Sequence, residues 1–176
     1  MAGGRLEKAL ECTTSMMSSR NVDELLRRMT ETVTEDFGFE GCDAFVLDKE
    51  KGYFVLKASK GYDIKETKAV EGIAKTLDMI KKDLALCEKL GKFTYLLKAK
   101  PGEDVTNYYA LMHPERAALP RKNPDDWHEL DVLYVAFEDA SGSIVGFLEP
   151  DGPKDGKLPS GTMVTNLEIF AALASI

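Results

Sequence analysis

The run Asp131–Glu149, DVLYVAFEDASGSIVGFLE, narrows the fold more than any other stretch. Two β-rich segments, Asp131–Glu138 and Ser143–Glu149, flank DASG, four residues that readily reverse a chain. Strands joined this closely pair antiparallel, because a parallel crossover needs a dozen or more residues. The same design occurs earlier, where CDAFVLD at Cys42–Asp48 and YFVLKAS at Tyr53–Ser59 surround KEKG. FTYLLKA at Phe93–Ala99 supplies another strand. An antiparallel sheet is therefore expected.

Helical periodicity surrounds these strands. Val22, Leu25, Leu26, Met29, Val33 and Phe37 fall on one face of a helix. Asn21 followed by Glu24 resembles a capping box, and Gly38 fits the stop. Leu6, Ala9, Leu10, Thr13 and Met17 predict a shorter helix before it. Val70, Ile73, Leu77, Ile80, Leu84 and Cys87 keep helical spacing through Ile64–Leu90, with Gly91 as terminator. The glycine- and aspartate-rich DGPKDGKLPS turns into a last helix, which Ser160 can cap and which buries Met163, Val164, Leu167, Phe170 and Ala171. Pro101–Asp126 has no firm period beyond room for a short helix near Asp104–Met112. A loop that long in a compact domain is expected to cover something. The fold class is α+β: a central curved antiparallel sheet, terminal helices on one face and a covering segment on the other. The final helix is still in progress at Ile176, so a single domain spanning 1–176, excised from a larger multidomain protein, is the expectation.

Composition removes several function classes. Thirty acidic side chains against 23 basic ones give a net charge of -7, which repels nucleic acid and anionic lipid. No apolar run approaches the ~20 residues that span a bilayer, and the N-terminus lacks a signal-peptide core, so the expected location is cytoplasmic without membrane insertion. Three widely spaced cysteines, Cys12, Cys42 and Cys87, form neither a disulfide framework nor a CxxC site. No P-loop, G-x-S-x-G or zinc-protease pattern is present, so no catalytic residue and no metal site is assigned.

The segments NVDELLRRMTETVTEDFGFEGCDAFVLDKEKGYFVLKASKGY and ELDVLYVAFEDASGSIVGFLEPDGPKDGKLPSGTMVTNLEIFAALA, in that order, resemble the second helix with first hairpin and the last strands with closing helix of GAF domains. These are sensor modules of bacterial and archaeal signal-transduction proteins, two-component systems among them. The resemblance implies a noncatalytic domain that binds a small molecule or redox cofactor and biases an attached C-terminal output module. Two alternatives stay open: a structural or homodimerising domain without ligand, joined through its terminal helices, and a haem-based redox or gas sensor. The ligand is unidentified and the cofactor unknown, with haem one candidate. The motif that marks cyclic-nucleotide-binding GAF domains is absent. The resemblance places a ligand between the sheet and its cover, which makes Tyr95, Tyr108, Tyr109, Trp127 and Tyr134 candidate contacts. Cys42, His113 and His128 are the candidates for holding a cofactor, set against packing roles for each.

Overall fold

The computed structural model describes residues 21–71, 74–100, 102 and 111–175. The predicted helix at Leu6–Met17 and the segment Asp104–Ala110 lie outside them. The elements are α1 (Val22–Glu35), β1 (Phe39–Asp48), β2 (Tyr53–Lys60), α2 (Ile64–Glu71), β3 (Lys75–Thr76), α3 (Leu77–Leu86), β4 (Glu88–Lys89), β5 (Thr94–Leu97), a single 3-10 turn at Pro114–Arg116, β6 (Val132–Glu138), β7 (Ile144–Pro153) and α4 (Gly161–Ala174). Both expected hairpins form, and among the described residues every strand pair is antiparallel. The seven strands run β3-β2-β1-β7-β6-β5-β4, so strands distant in sequence, β1 and β7, make the centre.

Local signals read from sequence act as expected at the helix ends. The Asn21 side chain accepts the Glu24 N–H at 2.8 Å, and Gly38 takes φ +84°, the left-handed region that releases the chain from α1. Ser160 accepts the Met163 N–H and starts α4. One expectation needs correcting: Ile64–Leu90 is not one helix. Thr76 caps a new helix by accepting the Met79 N–H, and β3 pairs with β2 just before it, so the segment splits into α2 and α3. Helical spacing survived the break because Val70 and Ile80 both point into the same apolar cluster.

Strand alternation divides the core in two. On one face, Cys42, Ala44, Leu133, Val135, Phe137 and Leu148 pack against Leu26, Met29 and Val33 of α1 and Leu167, Phe170 and Ala171 of α4. Phe37 and Phe170 stack at 5.1 Å. Each of these large side chains contributes about 1.5–3 kcal/mol by leaving water. On the other face Phe45, Phe54, Tyr134 and Phe147 lie under Val70 of α2 and Ile80 of α3. No helix among the described residues is long and apolar enough to cross a membrane.

Candidate functional site

The face covered by α2 and α3 is only half apolar. Residues directly opposite across an antiparallel pair share a face. Phe45 faces Phe147, Asp43 faces Glu149, and Gly41 faces Asp151. Moving along β1 and β7, the surface changes from stacked phenylalanines, 4.9 Å apart, to three carboxylates. Asp43 is only 4% exposed. Like charges facing each other at such a position are destabilising unless something compensates them.

Part of the compensation is Lys75, delivered by β3. Its Nζ lies 2.7 Å from both carboxylate oxygens of Glu149. The same ammonium sits over the Phe45 ring, 4.4 Å from its centroid, and 5.7 Å from that of Phe147. Phe54 and Tyr134 in turn make T-shaped contacts with Phe147, their ring centroids 4.9 and 5.7 Å from its own. The Tyr134 hydroxyl donates to Asp83 of α3 at 3.2 Å, which ties the cover to the sheet. Burial, with Glu149 and Asp83 nearby, pushes that phenol well above its usual range.

The other end of this face is closed by Tyr62. Gly61, at φ +93°, packs against the Glu40 backbone, where a Cβ would lie 2.0 Å from the carbonyl oxygen. This turn lays the Tyr62 ring over Gly41, so closely that a Cβ on Gly41 would meet it at 2.8 Å. The Tyr62 hydroxyl donates to Asp151 at 3.4 Å, and the Gly152 N–H donates to the same carboxyl at 2.7 Å. Burial, together with Glu129, nevertheless raises Asp151 to about 7. Ser59, opposite Asp43 on β2, has a buried hydroxyl with no hydrogen-bond partner among the described residues.

The sequence-derived candidates scatter. Tyr95 and Tyr134 are neighbours across β5 and β6 and belong to the covered face. Tyr95 is half-buried at its margin. Cys42 is fully buried on the opposite face, in the core against α1 and α4, and burial holds its thiol far above the usual range. Trp127 packs against that same core. His113 and His128 belong to the loop before β6. His113 pairs through Nε2 with Glu40, while its backbone N–H donates to Glu129. His128 Nε2 donates to the Leu119 carbonyl at 2.9 Å, and its Nδ1 accepts the Leu130 N–H. Tyr108 and Tyr109 lie outside the described residues.

These positions do not suit haem. The Cys42 sulfur faces away from the covered side, and both histidines have their Nε2 atoms engaged by protein groups. Among the described residues, no group of three or more His, Cys, Asp or Glu is placed to hold a metal ion.

Sequence reasoning missed Asp43, Tyr62, Lys75, Glu149 and Asp151. A signal existed for the acids. Asp43 interrupts an apolar strand, and Glu149 and Asp151 stand at the same parity as Phe147. Lys75 carried none, since its role depends on a two-residue strand.

No protein-family model matches the chain, and no curated protein matches it. Solved structures do. The GAF domain of a phosphoenolpyruvate-protein phosphotransferase from Acinetobacter is 16% identical, covering 99% of this chain and 94% of its own, with a TM-score of 0.59. A methyl-accepting chemotaxis protein, residues 122 to 287, is 18% identical, with 96% and 94% covered and a TM-score of 0.59. Free methionine-R-sulfoxide reductase from Neisseria meningitidis, in complex with its substrate, is 13% identical, with 98% and 87% covered and a TM-score of 0.59.

Proposed function

We propose that this chain, whose fold is GAF-like, is a noncatalytic sensing domain that takes up a small molecule on the sheet face beneath α2 and α3. One observation carries the reading. The centre of that face holds Asp43, Glu149 and Asp151 beside Tyr62 and Tyr134, whereas the same strands present an apolar core to α1 and α4. Charged groups placed under a cover cost folding energy that apolar residues would not. Convergent polar groups beside aromatic rings are what a small-molecule site uses for orientation and affinity.

A link from the sheet to the last helix supports the signalling part of this reading. Glu168 on α4 accepts the backbone N–H groups of Lys92 and Phe93 and the Thr94 hydroxyl, so a shift of β5 pulls on the last helix. An output module following α4, and a homodimer through the terminal helices, complete this reading. Two states could be biased only by a ligand with different affinity for each.

Thermal unfolding with a panel of polar metabolites tests the proposal. A ligand at a hundred times its Kd adds about 2.7 kcal/mol, which raises Tm by roughly 5–10 °C for a chain this size. The shift should vanish in Glu149→Leu. No stabilising compound across the panel, together with an apo native mass, would overturn it.

A further inference from the structure

We propose that the covered face is a site for a small organic cation carrying an ammonium group, and that Lys75 occupies this site from within until such a ligand displaces it. The inference rests on the small-molecule reading above and names the ligand class for the same surface.

The Lys75 ammonium already displays the chemistry. Two carboxylate oxygens of Glu149 hold it at 2.7 Å, and the Phe45 and Phe147 rings lie beneath it at 4.4 and 5.7 Å. A carboxylate beside aromatic faces is how proteins recognise ammonium groups, because both the ring quadrupole and the carboxylate attract positive charge. Phe54 and Tyr134, in T-shaped contact with Phe147, fix that ring in place, so the cage is held by the sheet and not by the lysine.

Three further features fit an exogenous occupant. The carboxyl-bearing surface extends past Glu149 to Asp43 and Asp151 on the same face. Among the described residues no Lys, Arg or His makes a salt bridge with Asp151. The buried Ser59 hydroxyl beside Asp43 offers a polar contact that the protein itself does not use.

The occupant's tether is also slight. Lys75 belongs to a two-residue strand at the edge of the sheet, paired among the described residues only with Tyr53 and Phe54. Such an edge opens at a small fraction of the free energy needed to separate central strands. Exchanging one organic cation for another keeps the charge attraction to Glu149 and the ring contacts, while a quaternary ammonium gives up the two N–H···O bonds of Lys75. The binding free energy then comes from whatever else the ligand touches. An internal competitor lowers apparent affinity by the fraction of molecules it leaves open.

Choline and its neutral isostere dimethylbutanol, at matched ionic strength, test this on the full chain. In the wild type, amine acetylation of Lys75 followed by peptide mass mapping should accelerate several-fold with about 50 mM choline and not with the alcohol, since displacement exposes the ammonium. By calorimetry, Lys75→Met should bind choline about tenfold more tightly than the wild type, and Glu149→Gln should weaken it by at least as much. If choline leaves Lys75 acetylation unchanged, the internal-occupant proposal is overturned, whether or not Lys75→Met folds. If the alcohol binds as well as choline, the ligand class is wrong while the small-molecule reading stands. If neither binds and the metabolite panel is also silent, both readings fall.

Discussion

The carboxylate of Glu168 on α4 accepts the backbone N–H of Phe93 at 2.9 Å, joining the last helix to the outer part of the sheet. The same carboxylate takes the Lys92 N–H at 3.0 Å and the Thr94 hydroxyl at 2.6 Å, and Gly91 leaves it room, since a Cβ there would lie 2.5 Å from its oxygen. Hydrogen bonds to a charged acceptor contribute about 1.5–3 kcal/mol each before neighbouring losses overlap. Glu168→Ala should therefore cost about 2–4 kcal/mol in denaturant unfolding. Hydrogen exchange should quicken at the Lys92 and Phe93 amides first. Unchanged protection there would mean that the turn is held by something else.

Asp151 makes stability fall as pH rises. Its ordinary value is 3.8, and in the folded chain it stands at about 7, raised by burial and by Glu129 and Glu149, against the opposing Gly152 N–H and Tyr62 hydroxyl. Between those two values the folded state holds more protons than the unfolded one, so its contribution is complete below about pH 4 and is lost by about pH 7. Asp151→Asn keeps an acceptor for Gly152 and carries no charge. We expect a higher Tm than wild type at pH 8, a smaller difference at pH 5 and little difference at pH 4. A variant equally shifted at pH 8 and pH 4 would rule out this account.

Lys75 and Glu149 should be energetically coupled. Their side chains are 18% and 16% exposed, between the surface and interior regimes. Removing one partner strands the other, so Lys75→Met is expected to cost about 1–3 kcal/mol. Combined with Glu149→Leu, the loss should be smaller than the sum of the single changes by about 1–2 kcal/mol. Strict additivity in the double-mutant cycle would contradict the pairing.

Arg121 organises the loop that carries both histidines. Its guanidinium grips Asp131 at 2.6 and 2.9 Å, and that carboxylate also accepts the N–H groups of Ala99 and His128. The Asp131 side chain is fully buried. Arg121→Met should destabilise by about 3 kcal/mol, and Arg121→Lys should recover only part, because a point charge cannot reproduce the fork. Limited proteolysis should move into residues 111–131 in Arg121→Met. Resistance equal to wild type would count against the loop depending on this pair.

The thiols should be slow. Cys42 is fully buried with its thiol pushed far up, and burial with nearby Asp83 raises Cys87 to about 12. The thiolate is the reactive form. In native protein at neutral pH, a disulfide reagent should leave Cys42 unmodified and modify Cys87 far more slowly than a free thiol. Rapid labelling of Cys42 would show that the core against α1 and α4 opens readily.

Much of the architecture was legible because it is local. Asn21, Gly38 and Ser160 act within a turn of where they stand, and the two hairpins announce themselves by short reversals between β-rich runs. The break at Thr76 was not legible: helical spacing runs through Val70, Ile80 and Leu84, while the pairing that interrupts it depends on Tyr53 and Phe54 some twenty residues earlier. The candidate site was mostly hidden for a similar reason. Aromatics and histidines drew the sequence reading toward Trp127 and His128, which fold into the opposite core and a loop scaffold.

By itself the sequence determined the class of fold: the two hairpins, the strand at Phe93–Ala99, the helices that Asn21 and Ser160 cap, and that the strands pair antiparallel. Periodicity and turn chemistry act over a few residues, so they are written in any short window. Only the tertiary structure decided that β1 meets β7, and so that Asp43 faces Glu149 while Lys75 arrives from an edge to sit on Phe45. Register between distant strands is fixed by the packing of the whole sheet, and the charges it brings together have no signature along the chain.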